Sequence, residues 1–283
     1  MKILLTSISL IAFAANSLLC RMALGDSLID PVSFTTLRLA SGALTLVFLL
    51  RIRSGSTRRV KARGAWKSAL ALYAYASAFS LGYVSITAGM GTLILVGSVQ
   101  ITMLGWAIVC REKLSRIKWL GSAISMSGLI YLVLPGISAP DPIGALLMFV
   151  SGSAWGVYTI RGKGAPSPVA MTTSNFCWAA PVALVMSIAF SASMHLELSG
   201  VLLAVISGSM TSALGYVIWY KALRRLTTSQ ASIVQLLIPV LTAFGGVAFL
   251  SEQVSMRLLL ACTLILGGVA MGILNNTSRN PFR

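Results

Sequence analysis

Apolar residues fall in blocks of about 20 along the whole chain, separated by short polar or turn-forming clusters. Ten blocks emerge: Ile3–Leu24, Pro31–Leu50, Trp66–Thr87, Gly89–Val109, Trp119–Leu134, Ile143–Ile160, Val169–Phe190, Leu198–Tyr220, Gln230–Leu250 and Met256–Leu274. Each is close to the roughly 20 residues that a helix needs to cross a bilayer, and too long for a barrel strand of about ten. Breakers mark the seams: Gly25-Asp26, Asp30-Pro31, Pro135-Gly136, Pro140-Asp141-Pro142 and Pro166-Ser167-Pro168. The pattern predicts an all-α integral membrane protein.

One stretch occurs twice. Shifted by 140 positions, Thr87–Leu132 lies on Thr227–Gly272 without a gap, and Thr102 meets Thr242, Gly105 meets Gly245, Glu112 meets Glu252, Ser115 meets Ser255 and Gly128 meets Gly268. Apolar matches are cheap in such a chain, but the acid-x-x-Ser match between apolar runs is not. The repeat predicts two halves, residues 1–138 and 139–283, of five spans each.

Composition agrees with this picture. The 283 residues are 57% hydrophobic with mean hydropathy +0.88, and 10% are charged, too few to cover a soluble protein of this size. The net charge of +16 would suggest nucleic acid in a soluble domain. Here the basic residues sit in short connections instead, so no nucleic-acid partner is expected. Cys20, Cys110, Cys177 and Cys262 form no CxxC pair, and neither a disulfide framework nor a metal site is expected. The run from Met1 resembles a secretory signal, but its apolar stretch continues past Ala15 to Leu24, which favours a retained first helix.

The basic residues also set an orientation. With ten spans, 19 of the 22 fall on one side, at the termini and in the even-numbered connections, while Arg21, Arg38 and Arg257 do not. The positive-inside rule makes that side, with both termini, cytoplasmic. Five spans per half is an odd number, so the second copy enters the membrane upside down relative to the first. Inverted repeats are a signature of secondary transporters, although some channels carry them too.

Several features together resemble the EamA family of the drug/metabolite transporter superfamily. They are the two inverted five-span copies, Arg38 within Leu37-Arg38-Leu39, Glu112 and Glu252 ahead of spans five and ten, and Trp155-Gly156-Val157-Tyr158 in span six. The likeness is strongest to bacterial amino-acid and metabolite exporters, including the YddG-type exporters of aromatic amino acids. It implies a bacterial inner-membrane protein in which spans one to four and six to nine form a basket around a central cavity, with spans five and ten behind. One departure is Phe13-Ala14, where the family often carries Trp-Gly.

Arg38 is the sharpest candidate for substrate binding. It lies about 10 Å into span two, where a charge is costly and faces a cavity or a partner. It suits a planar carboxylate; alternatively it reaches Asp26, Asp30 or backbone carbonyls and only ties helices together. Aligning Phe13-Ala14 with Trp155-Gly156 places Asn16 on Tyr158, two polar groups that would flank the axis between halves or serve as interhelical glue. Tyr75, Phe79 and Tyr83 share one face of span three, toward a cavity or toward lipid. Trp106, Tyr216 and Trp219 are further wall candidates, but Trp66, Trp119 and Trp219 also lie near span ends and read as interface anchors. Tyr83, Trp155, Tyr158 and Trp178 lie deeper. Gln100 and Gln235 are mid-span amides. Pro239 is expected to kink span nine, and Gly89, Gly91 and Gly97 loosen span four, so Gly91, Gly97 and Pro239 are candidate hinges against a plain packing role. Glu112 and Glu252 read as structural acids near helix starts, close to Arg111 and Arg257.

No enzyme constellation is present: His195 is the lone histidine, and no intramembrane acid pair or phosphate-binding glycine loop occurs. No cofactor is expected. Arg38 does not titrate, so a facilitator that moves an amino acid or similar small molecule outward by alternating access fits best. A proton- or exchange-coupled carrier of metabolites or drugs, and a channel, are the rival readings.

Overall fold

In a computed structural model, residues 2–54, 65–111, 115–134, 139–163, 165–226 and 228–274 are described. The described residues are helical throughout apart from connections and one isolated bridge between Ile29 and Leu196. The helices are α1 (Lys2–Gly25), α2 (Pro31–Ser54), α3 (Ala65–Gly82), α4 (Ala88–Val109), α5 (Arg116–Val133), α6 (Pro142–Gly162), α7 (Pro168–Ala189), α8 (Leu198–Ile206), α9 (Gly215–Leu223), α10 (Thr228–Val234), α11 (Leu237–Leu250) and α12 (Met256–Leu274). Seven helical stretches among them are long and apolar enough to span a membrane; Trp119–Leu132 and Met256–Gly268 are shorter apolar helices.

Three of the seams start helices by one device. At Asp30-Pro31, Asp141-Pro142 and Ser167-Pro168, proline takes the first helical position, where its missing N–H costs nothing. The preceding side chain then caps: Asp30 accepts from the Val32 and Ser33 amides at 3.1 and 2.9 Å, Asp141 from Gly144 at 2.7 Å, and Ser167 from Ala170 at 3.4 Å.

Two expected spans are interrupted. Between α8 and α9, residues Ser207–Leu214 form a π-helix, so Leu198–Leu223 is one rod with a widened middle. Between α10 and α11 the helix breaks at Gln235 and Leu236. Pro239 explains the break, because it has no N–H for the Gln235 carbonyl and its ring presses on that carbonyl. The freed carbonyl accepts from Ile238 at 3.0 Å instead.

Neighbouring rods close a ring in the order α1, α8–α9, α2, α7, α3, α6, α4, α10–α11 and back to α1. Helices before residue 138 thus alternate with helices after it. In a bilayer, burying apolar surface gives no drive for helices to associate, so close contact through small residues matters. A Cβ at Gly152 of α6 would strike the Leu95 carbonyl of α4, and one at Gly208 would strike the Arg38 carbonyl of α2.

Outside the ring, α5 packs along α12. Their contacts are reciprocal under the 140-residue shift. Gly128 faces Ile265 and the Ala261 carbonyl, and Gly268 faces Ser125 and the Gly121 carbonyl. Ser125 donates to the carbonyl of Ile265, its own counterpart, at 3.1 Å. Reciprocity of this kind is the mark of a local two-fold relation.

Candidate functional site

Arg38 lies at the centre of the ring and is 1% exposed. Its guanidinium meets hydroxyls and rings. Nε donates to Ser212 Oγ at 2.9 Å, and Nη2 donates to Tyr75 and Tyr216 at 3.1 and 2.9 Å. The Tyr75 and Phe79 rings lie 5.3 and 5.0 Å from its central carbon, within cation–π range. Nη1 is buried without a hydrogen-bond partner. Neither Asp26 nor Asp30 is its partner: Asp30 caps α2 and also accepts from the His195 amide at 3.2 Å.

The π segment builds the other side of this centre. Asn16 of α1, 2% exposed, accepts from Ser207, Thr211 and Ser212 at 2.7, 3.1 and 3.4 Å. A π turn brings these hydroxyls to one amide while Ser212 also reaches Arg38. Gly208 permits it, because any side chain there would push α2 away. π segments recur at functional sites.

Aromatic rings fill the space around the guanidinium. Phe13 meets Trp155 edge-on at 5.4 Å, and Trp155 lies 5.0 Å from Tyr75, 4.8 Å from Tyr216 and 5.5 Å from Tyr158. Phe13 and Trp155 are the two positions that coincide when Phe13-Ala14 is set on Trp155-Gly156. The Trp155 indole donates to Gln235 at 2.8 Å, which ties the ring cluster to the break between α10 and α11. Tyr158 accepts from Asn175 at 3.3 Å, and Tyr83, wholly buried, pairs with Thr92 at 2.7 Å. Tyr75, Phe79 and Tyr83 therefore face the protein interior rather than lipid.

Asn16, Arg38, Trp155 and Tyr158 are brought together. Tyr83 joins through Phe79, its ring 4.7 Å away. Gln100 is half-buried between α4 and α5, in a small cavity of about 30 Å³ with Gly97 and Ser125. Trp178 is not at the centre: α7 buries Thr172, Asn175, Phe176, Ala179 and Ala183, so Trp178 falls on the opposite face, 59% exposed. Trp106, 48% exposed, also faces outward. Trp219 corrects the other way, since it is fully buried with its ring 5.7 Å from Phe13 rather than anchored at an interface. Gly91 seats the Tyr83 ring, which a Cβ there would meet at 2.7 Å.

A second cavity, of about 540 Å³, lies between α2, α3 and α7. Val32, Thr35 and Thr36 contribute from α2, Tyr73 and Ser77 from α3, and Phe190 from the end of α7. Thr35 is one helical turn from Arg38, so this cavity stands beside the buried centre.

The Gly25 end of the ring is tied shut on one side. Glu252 accepts from the Ala88 amide through both oxygens, at 2.8 and 3.0 Å, and pairs with Arg21 at 3.4 Å. Arg21 in turn donates to the Tyr83 and Val84 carbonyls at 2.8 and 3.1 Å. Glu252 therefore caps α4 and not its own helix, and Arg257 bonds the Leu132 and Leu134 carbonyls instead of Glu252. Glu112 lies outside the described residues. Among the described residues no three of His, Cys, Asp and Glu stand together as a metal would need.

A profile of the EamA-like transporter family matches residues 142–274. An uncharacterized protein of Pseudomonas aeruginosa is 46% identical over 95% of this chain and 93% of its own length. The chain belongs to the EamA-like transporter family. More distant relatives carry the word transporter in their names. The uncharacterized transporter YoaV of Bacillus subtilis is 26% identical over 88% of this chain and 89% of its own, and an uncharacterized transporter of Archaeoglobus fulgidus is 26% identical over 85% and 88%. A solved crystal structure with 21% identity superposes with TM-score 0.70, covering 95% of this chain and 96% of the other, which establishes the likeness of fold. This EamA member is a multi-pass membrane protein of a transporter family.

Proposed function

We propose that this protein exports neutral, chiefly aromatic, amino acids or related small carboxylates across a bacterial inner membrane, as a facilitator of the YddG type. The observation that carries the reading is the buried Arg38 guanidinium, held by three hydroxyls and two rings, with no hydrogen-bond partner for Nη1 and no carboxylate partner among the described residues. A buried charge of this kind lacks a counter-ion, and a substrate carboxylate supplies one in a two-point fork. Trp155, Tyr158, Tyr216 and Phe13 form an apolar aromatic surround suited to the side chain. Asn16 and Tyr83 complete the proposed set, whereas Trp178 on the outer face of α7 and Gln100 between α4 and α5 are left out of it. The cavity beside Thr35 is the entry to the centre.

Ten spans in two inverted five-helix units, 1–138 and 139–283, fit the alternating ring and the reciprocal α5–α12 contacts. With the basic connections cytoplasmic, both termini are cytoplasmic and the Glu252–Arg21–Ala88 tie lies at the outer end. Alternating access then rocks one unit against the other, with Gly91, Gly97 and the Pro239 break as hinges.

Counterflow tests this directly. Purified protein in liposomes preloaded with unlabelled amino acid is given trace label with no ion gradient, for Trp, Phe, Met, Thr and Lys in turn. Overshoot is expected for Trp, Phe and Met. Tryptamine, which lacks the carboxylate, is expected not to compete with tryptophan, and folded Arg38→Ala is expected to lose the overshoot. Absence of counterflow for all five, or competition by tryptamine equal to tryptophan, overturns the reading.

A further inference from the structure

At the Lys2 end of the bundle, Leu5 of α1 and Lys221, Arg224 and Arg225 at the end of α9 line a cavity of about 500 Å³. The three cations are exposed, and none has an ion-pair partner among the described residues. The five described acids cannot supply one. Asp26 follows the far end of α1, a helix of 24 residues and so about 36 Å long. Asp30 contacts the amide of His195, the Glu197 amide donates to Leu28, Asp141 bonds Ser85, and Glu252 pairs with Arg21, so all five gather at that far end.

The helix that supplies Leu5 also presents an apolar surface. Leu4, Ile8 and Ile11 recur on one face of α1 and are 61%, 40% and 59% exposed. Farther along, Gly215 of α9 sits against Ala12, so α1 and α9 are in contact there. A positive recess above an apolar track matches an amphiphile with a negative head.

We infer that this recess binds the headgroup of an anionic phospholipid, with an acyl chain laid along α1 and α9. Basic recesses between membrane helices hold such headgroups, and each nearby Lys or Arg adds to the attraction. Binding here holds α9 against α1, and α9 carries Tyr216 to Arg38. The inference requires that the chain sit in a bilayer; it does not depend on the substrate proposed above.

The experiment is native mass spectrometry of the full chain in an uncharged detergent, titrated with phosphatidylglycerol, with phosphatidylcholine of the same acyl chains, and with inorganic phosphate as competitor. Phosphatidylglycerol is expected to bind about tenfold or more tighter than phosphatidylcholine. Millimolar phosphate is expected not to displace it. The variant Lys221→Gln/Arg224→Gln/Arg225→Gln is expected to lose that preference, and Arg51→Gln/Lys67→Gln/Arg116→Gln to keep it. Equal binding of the two lipids, displacement by phosphate, or an unchanged preference in the first variant overturns the inference. If the first variant does not fold, the wild-type titrations and Arg225→Gln alone decide.

Discussion

α4 and the α10–α11 rod lie on one another under the 140-residue shift, yet one is continuous and the other is broken. Val99 and Pro239 are counterparts under the 140-residue shift, and of the many differences between the two stretches this is the one that removes a backbone N–H. α4 buries Val99 completely in an unbroken ladder, whereas the second rod opens at Gln235 and Leu236 and offers an amide to Trp155. α3 and the α8–α9 rod differ in the same direction, with the π segment on the later side. The early helices contribute the charge and the late ones its irregular, hydroxyl-rich surround. Two matched stretches can thus keep their packing surfaces while their interiors diverge: the late rod breaks at its proline, and the Gln235 side chain at the break accepts from Trp155.

Val99→Pro writes the late break into α4. It is expected to destabilise by about 3 kcal/mol or more, read as a large loss of Tm in detergent. Gln235→Leu comes next. It strands the buried Trp155 N–H, an expected cost of about 1–3 kcal/mol, with Gln100→Leu as a near-silent control in the same melt. Pro239→Ala should move the other way, raising stability by about 1 kcal/mol as the rod regains its ladder, while counterflow slows. Survival of full counterflow in a stabilised Pro239→Ala would remove the break from the mechanism. Ser125→Ala removes the bond between counterparts behind the ring and is expected to cost about 0.6 kcal/mol, a small but measurable Tm shift.

Helix extent was legible because apolar length and Asp-Pro or Ser-Pro seams are local signals, and all three such seams cap as their residue types require. Arg38 was legible because a charge inside an apolar run has few innocent explanations. Facing was not. These helices are apolar nearly all round, so the sequence carries no stripe to say which side is in. Trp178 and Trp219 exchanged roles for that reason. Glu252 looked like a cap for the helix ahead of it, and its real partner Ala88 lies 164 residues away, beyond any local rule. The Pro239 break was anticipated from proline chemistry, whereas the π segment has no comparable letter code: Ser207–Leu214 contains no proline, and its helix reads as one apolar span.

That widened turn has a bearing on chain length. A π turn stores roughly one residue more than an α turn, and each residue rotates an α-helix by about 100°. Deleting a single residue between 207 and 214 would let the rod relax to α-helix at little backbone cost. Because the wider turn has already absorbed that residue, α9 beyond it would keep nearly the same facing, with Tyr216 still toward Arg38 and Lys221 toward the recess at Leu5. What would go is the gathering of Ser207, Thr211 and Ser212 on Asn16, so the extra residue serves the centre while leaving the basic rim untouched.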